Sequence, residues 1–144
     1  MKAILQLFSF TLLFPLMGLA ANPAPGDVWT ARDSNRNWRS VASSADGMRL
    51  VASVQNGQLY TSGDAGVTWT ARESNRNWWS VASSANGSNL VAVVQGGQIY
   101  TSSDAGVTWT ARDSSRNWSS VASSADASRL FAGEIDIHTS TDFG

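Results

Sequence analysis

The chain has 144 residues, and loss of a leader of about 20 leaves roughly 124, room for one modest domain and too little for two large ones. Hydrophobic residues at 42% and charged residues at 15% are too apolar for a disordered tail and too mixed for a membrane bundle, so a packed core is expected. Ten basic against eleven acidic side chains give a net charge of -1, which offers no field for nucleic acid or an anionic membrane. With no cysteine and the single histidine His138, neither disulfides, a thiolate nucleophile nor a metal centre is expected, and no cofactor is called for.

Residues 1–20 read as a signal peptide. Lys2 supplies a positive charge, an apolar run follows, and Gly18-Leu19-Ala20 places small residues where a signal peptidase cuts. A membrane anchor is the competing reading, but Gln6, Ser9 and Pro15 interrupt the run. Export to a periplasm or the exterior follows, with no membrane attachment after cleavage. Residues 21–27 (ANPAPGD) form a Pro-rich linker, and 28–144 carry a repeat.

The repeat has a period of 40. WTARDSNRNWRSVASSADGMRLVASVQNGQLYTSGDAGVT starts at Trp29, a near copy starts at Trp69, and a third starts at Trp109 before diverging after Leu130. The third copy is two residues shorter, so that His138 stands where Tyr60 and Tyr100 stand. Such a period belongs to propeller blades or to helical solenoids. Asp46-Gly47, Asn56-Gly57, Asn86-Gly87 and Gly96-Gly97 leave no room for a useful helix and favour hairpin turns. Segments between them are rich in Val, Trp, Tyr, Thr and Ser, which suits strands. Four strands per repeat are predicted, in the first copy at Trp38–Ser43, Arg49–Val54, Gln58–Ser62 and Val67–Arg72. The fold class is therefore all-β, with blades of four antiparallel strands at about 38–72, 78–112 and 118–144.

Between the third and fourth strands stand Ser62-Gly63-Asp64-Ala65-Gly66-Val67-Thr68-Trp69 and Ser102-Ser103-Asp104-Ala105-Gly106-Val107-Thr108-Trp109, both S-x-D-x-G-x-T-W; a third copy begins at Ser140-Thr141-Asp142-Phe143-Gly144 without the Val-Thr-Trp ending. The motif resembles the Asp-box, or BNR repeat, of sialidase-like and photosystem II assembly-factor-like propellers. A structural role is expected for Ser62, Asp64, Gly66, Thr68, Trp69, Ser102, Asp104, Gly106, Thr108, Trp109, Ser140, Asp142 and Gly144. The aspartate accepts hydrogen bonds within the turn, the glycine takes a conformation closed to other residues, and the tryptophan folds against the neighbouring strand. A calcium loop needs several converging oxygens, and each box supplies one carboxylate.

Sialidase-like chemistry, as the resemblance implies it, needs an arginine cluster, a tyrosine–glutamate pair and an acid–base aspartate. Tyr60 and Tyr100 are equivalent repeat positions, Glu73 is a variant of Asp33 and Asp113, and repeats present copies of one environment where acid–base catalysis wants two. No catalytic residue is predicted. The blade-to-blade linkers, Arg32–Asn37, Arg72–Asn77 and Arg112–Asn117, repeat Arg36, Arg76 and Arg116 as a rotational array. These arginines either hold an acidic glycan or protein ligand in two-point contact or pair with Asp33, Glu73 and Asp113. Trp79, unique to its copy, is the candidate exposed aromatic, whereas the recurring Trp38, Trp78 and Trp118 suit blade packing.

The chain is thus expected to be a secreted, non-catalytic binding or scaffold module. The alternative is a fragment of a sialidase-like or other glycoside-processing enzyme whose catalytic residues lie in missing blades. Three blades fall short of the four or more of a closed ring, and the chain opens on a fourth-strand sequence, Val28–Arg32. Ring closure therefore expects self-association, two chains giving six blades, or further blades of a longer chain.

Overall fold

Short apolar segments separated by Asp-Gly, Asn-Gly and Gly-Gly pairs fold as hairpins, because each pair can turn the chain within two residues. In a computed structural model, residues 29–144 are described; the predicted signal peptide 1–20, the linker 21–27 and residue 28 lie outside the described residues. The unit Ala31–Gly144 is all-β and forms three consecutive antiparallel sheets. The first contains β1 (Trp38–Ser43), β2 (Leu50–Val54), β3 (Gly57–Ser62) and β4 (Thr70–Arg76), in that spatial order. The second contains β5 (Trp78–Ser83), β6 (Leu90–Ser102) and β7 (Thr110–Asn117). The third contains β8 (Ser120–Ser123), β9 (Leu130–Gly133) and β10 (Ile137–Ser140).

The long β6 serves as two strands of the repeat. Leu90–Val94 pairs with β5 as β2 pairs with β1, and Gln95–Thr101 pairs with β7 much as β3 pairs with β4. Its turn is the one that separates β2 from β3, with Gly96 at φ 75° where Asn56 takes 55°. The next position is glycine in both copies because the chain passes too close to its own strand. A Cβ on Gly57 or Gly97 would come within 2.7 Å of the Val54 or Val94 side chain.

Two expectations are corrected. The predicted fourth strand Val67–Arg72 is displaced toward the C-terminus, to Thr70–Arg76, because Val67, Thr68 and Trp69 belong to the turn that precedes it. The linker residues Arg72–Arg76 therefore belong to β4. Glu73 (φ 52°) and Asp113 (φ 50°) turn the backbone at register shifts that let both strands continue. Ala31–Asn37, the repeat counterpart of that strand in the preceding copy, is irregular and joins no sheet.

The sheets stack face to face, which is why Leu90–Val94 is buried on both faces. Val51 and Leu59 of the first sheet pack against Trp78, Val81, Ala92 and Tyr100 of the second. Val93 and Ile99 of the second pack against Trp118, Val121 and Ala132 of the third. Both interfaces carry the same two polar contacts. The Val81 and Val121 N–H groups donate to Ser40 and Ser80 Oγ at 3.3 Å. The Ala45 N–H donates to Ala85 O at 2.8 Å, and the Ala85 N–H to Ala125 O at 2.7 Å.

Candidate functional site

The S-x-D-x-G-x-T-W turns are knots of hydrogen bonds closed over a few residues. In the first, Ser62 Oγ donates to Asp64 Oδ1 at 2.7 Å and accepts from the Gly66 N–H at 2.9 Å. Asp64 also accepts from the Thr68 N–H at 2.9 Å and from Thr68 Oγ1 at 2.6 Å, and Trp69 Nε1 donates to Gly66 O at 3.0 Å. Ser102, Asp104, Gly106, Thr108 and Trp109 repeat every one of these partnerships. Ala65 and Gly66, like Ala105 and Gly106, take positive φ in succession. Only glycine fits the second place, since a Cβ on Gly106 would lie 2.6 Å from Thr61 Cγ2 of the sheet before it. In the third turn Ser140 Oγ donates to Asp142 Oδ1 at 2.8 Å and accepts from the Gly144 N–H at 2.8 Å.

The same device recurs at the turns expected from Asp46-Gly47 and Asn86-Gly87, and at Asp126-Ala127, where no turn was expected. Between the first two strands of each sheet, Ser44, Ser84 and Ser124 donate to Asp46, Asn86 and Asp126, which accept from the N–H two residues on. The signal was present as Ser-x-Asp/Asn in every copy, hidden because it lacks the Thr-Trp ending. The electrostatics follow from these donors. The hydroxyl and N–H of Thr108 hold the Asp104 carboxyl at about 2, against an ordinary 3.8, and those of Thr68 do the same for Asp64. Ser124 and the Ser128 N–H hold Asp126 at about 2, Ser44 lowers Asp46, and Ser140 lowers Asp142.

Arg36, Arg76 and Arg116 stand at equivalent places, each against the acidic residue three positions earlier. The distances are 3.5 Å to Asp33, 3.3 Å to Glu73 and 3.9 Å to Asp113. Arg36 and Arg76 also lie over the rings of Tyr60 and Tyr100, at 4.5 and 4.8 Å from the centroids. In the third sheet Arg116 adds Glu134 at 3.6 Å, and the edge-on ring pair Trp78–Tyr100 is replaced by Trp118–His138. Of the two uses open to the arginines, pairing within the linker is the geometry found. Two glutamine amides are engaged with the same linkers, with Gln58 and Gln98 Nε2 donating to Glu73 O and Asp113 O. Trp79, expected to be exposed, is half-buried among Val93, Trp118 and Ala132 and is covered by the Arg39 guanidinium 3.7 Å from its ring centroid. Arg39 belongs to the first sheet, and sequence alone could not say which neighbour would cover that ring.

Among the described residues no three His, Asp or Glu side chains converge as a metal site would require. The carboxylates are instead distributed along the turns and linkers, at most one to each except the β9–β10 turn, which carries Glu134 and Asp136.

No protein-family model matches the chain, and no curated protein matches it. Solved structures do. The GH74 enzyme of Niastella koreensis superposes with a TM-score of 0.58 at 24% identity, over 74% of this chain and 16% of that one. YCF48 bound to D1 peptide gives 0.64 at 17% identity, over 76% and 39%, and the GH74 xyloglucanase of Xanthomonas campestris gives 0.55 at 21%, over 72% and 17%. These neighbours are β-propellers, and the described residues have their fold, as three successive antiparallel sheets. It spans well under half the length of each of them.

Proposed function

We propose that the chain is an exported, non-catalytic binding or scaffold module whose blades are fastened by Asp-box turns. The observation that carries this reading is how its carboxylates are used. Asp46, Asp64, Asp104, Asp126 and Asp142 accept hydrogen bonds inside turns, and Asp33, Glu73, Asp113 and Glu134 face arginines, which leaves the exposed Asp136 as the remaining carboxylate among the described residues. A general acid must hold its proton near neutral pH, and carboxyls held at about 2 are the opposite of that. The binding face is the linker end, where Arg36, Arg76 and Arg116 recur once per sheet. A ligand there is acidic, a glycan or a peptide segment, and takes over the forks from Asp33, Glu73 and Asp113. The similar propeller YCF48 is bound to a peptide, which favours the peptide.

The second reading is a portion of a glycoside-processing enzyme whose catalytic residues lie in other blades. It draws on the GH74 neighbours, of which the chain spans 16–17%. One experiment addresses both readings: the purified chain and an Arg36→Ala/Arg76→Ala/Arg116→Ala variant are screened on glycan and acidic-peptide arrays, and the chain is incubated with xyloglucan. Binding lost in the variant, with no sugar released, is the expected result. Release of sugar by the chain alone, or binding unchanged in the variant, would overturn the proposal.

A further inference from the structure

Among the described residues nothing covers the outer faces of the first and third sheets, and the interfaces inside the chain show what fits them. Val81 on the front of the second sheet is 5% exposed beneath Val51 and Leu59, whereas its counterpart Val41 is 66% exposed. Trp38 beside it is likewise more open than Trp78. On the back of the third sheet Ile137 is 74% exposed where its counterpart Leu59 is fully buried, and Phe131 stands open where Val51 and Val91 are closed. One end thus shows the front half of the repeated interface and the other end shows the back half.

The unpaired backbone tells the same story. Ala31–Arg36 is the counterpart of the fourth strand, Ala71–Arg76, yet it joins no sheet, while the third sheet has three strands and leaves β10 as an open edge. A groove of about 650 Å³ separates Ala31–Arg36 from Trp38, Val41 and Trp69. That is where the remainder of a preceding sheet would stand.

We infer that a second copy of this chain fills that groove, its third sheet stacking on the first sheet of its partner, with Ala31–Arg36 added to β10 as the missing fourth strand. The repeat supplies the register. Leu59 pairs with Arg72 and Tyr60 with Ala71, so Ile137 pairs with Arg32 and His138 with Ala31 across the two copies. Arg72 and Arg112 Nε donate to Thr61 and Thr101 Oγ1 at 3.0 Å, and Arg32 finds the equivalent hydroxyl in Thr139. The Ala125 N–H finds Ala45 O, and the Val41 N–H finds Ser120 Oγ, continuing the two contacts that repeat inside the chain. The contact is head to tail, so it must close or grow. Propeller rings hold four to eight sheets, and copies of three reach that range only in pairs, as six. This inference concerns the sheet ends and does not depend on the arginine face or on any ligand.

Light scattering after size exclusion tests it on the full chain and on Val41→Arg and Ile137→Arg variants, each checked by circular dichroism. Both positions are exposed within one copy, so each variant keeps the strand spectrum. A single species of two chains is expected for the unaltered chain, and single chains for either variant alone. An equimolar mixture of the variants regains a two-chain species, because one has an intact tail and the other an intact head. Single chains of the unaltered protein, an open ladder of masses, a two-chain species that survives in either variant, or a mixture that stays single would overturn the inference.

Discussion

The second and third sheets start from the same sentence and end differently. The second has a packed sheet on each side, and its central strand runs through thirteen residues, five of the first five buried. Within one copy and among the described residues, the third has a neighbour on one side only, and its strands are four residues each. Substitutions of residues shared by the first two copies stand there: His138 for tyrosine and Ala127 for glycine. An interface on both faces leaves no position free to drift, since a change that suits one neighbour must also suit the other. An interface on one face relaxes that demand.

The largest test of this contrast is Trp78→Ala against His138→Ala. Trp78 is fully buried and meets Tyr100 edge-on with centroids 5.1 Å apart, so its loss should cost about 3–5 kcal/mol and lower Tm steeply in thermal melts. His138 is half-buried at the analogous ring contact, and its truncation should cost about 1 kcal/mol. Comparable losses would mean that the third sheet is packed as strictly as the second.

Acid titration gives a middle-sized effect. Asp104 in the fold titrates at about 2 rather than 3.8, so its contribution is fully present above about 4 and is lost as pH falls toward 2. Melts between pH 5 and pH 2 should therefore show a decline that flattens in Asp104→Asn. Asp142, which has no threonine partner, should flatten it less when changed to asparagine. A decline identical in both variants would separate acid sensitivity from the turns.

The smallest effect concerns Ala127, which takes φ 62° where Gly47 and Gly87 take 71° and 69°. Relief of about 1–2 kcal/mol of backbone strain in Ala127→Gly is set against about 0.8 kcal/mol for a buried methyl. A rise in Tm equivalent to less than about 1 kcal/mol is expected. A fall would show that the methyl fills a gap facing the second sheet.

Strand order, turn positions and the first strand, Trp38–Ser43, were legible in the sequence because they depend on local chemistry: which residues tolerate positive φ and which suit a pleated surface. The fourth strand was misplaced because Val67-Thr68-Trp69 reads as strand by composition, while Asp64 captures Thr68 and keeps it in the turn. The fate of side chains on the sheet faces was not legible. Trp38 and Trp78 are the same letter in the same phrase, and only the presence of a neighbouring sheet decides that one is partly open and the other closed. Trp79 under Arg39 is the same lesson, since its cover comes from forty residues earlier.

The hydroxyl–carboxylate knots bear on how such a chain reaches its fold at all. The ten strands of the described residues include near-identical copies that could pair in many wrong orders, and a hairpin drawn from two different copies would satisfy the same alternation of side chains. Each bond of a knot joins residues at most five positions apart, so closing it forfeits little chain entropy and needs nothing from elsewhere in the molecule. Neighbouring strands are thereby tied to each other before more distant twins can compete, and the order of the sheets is inherited from the order of the chain.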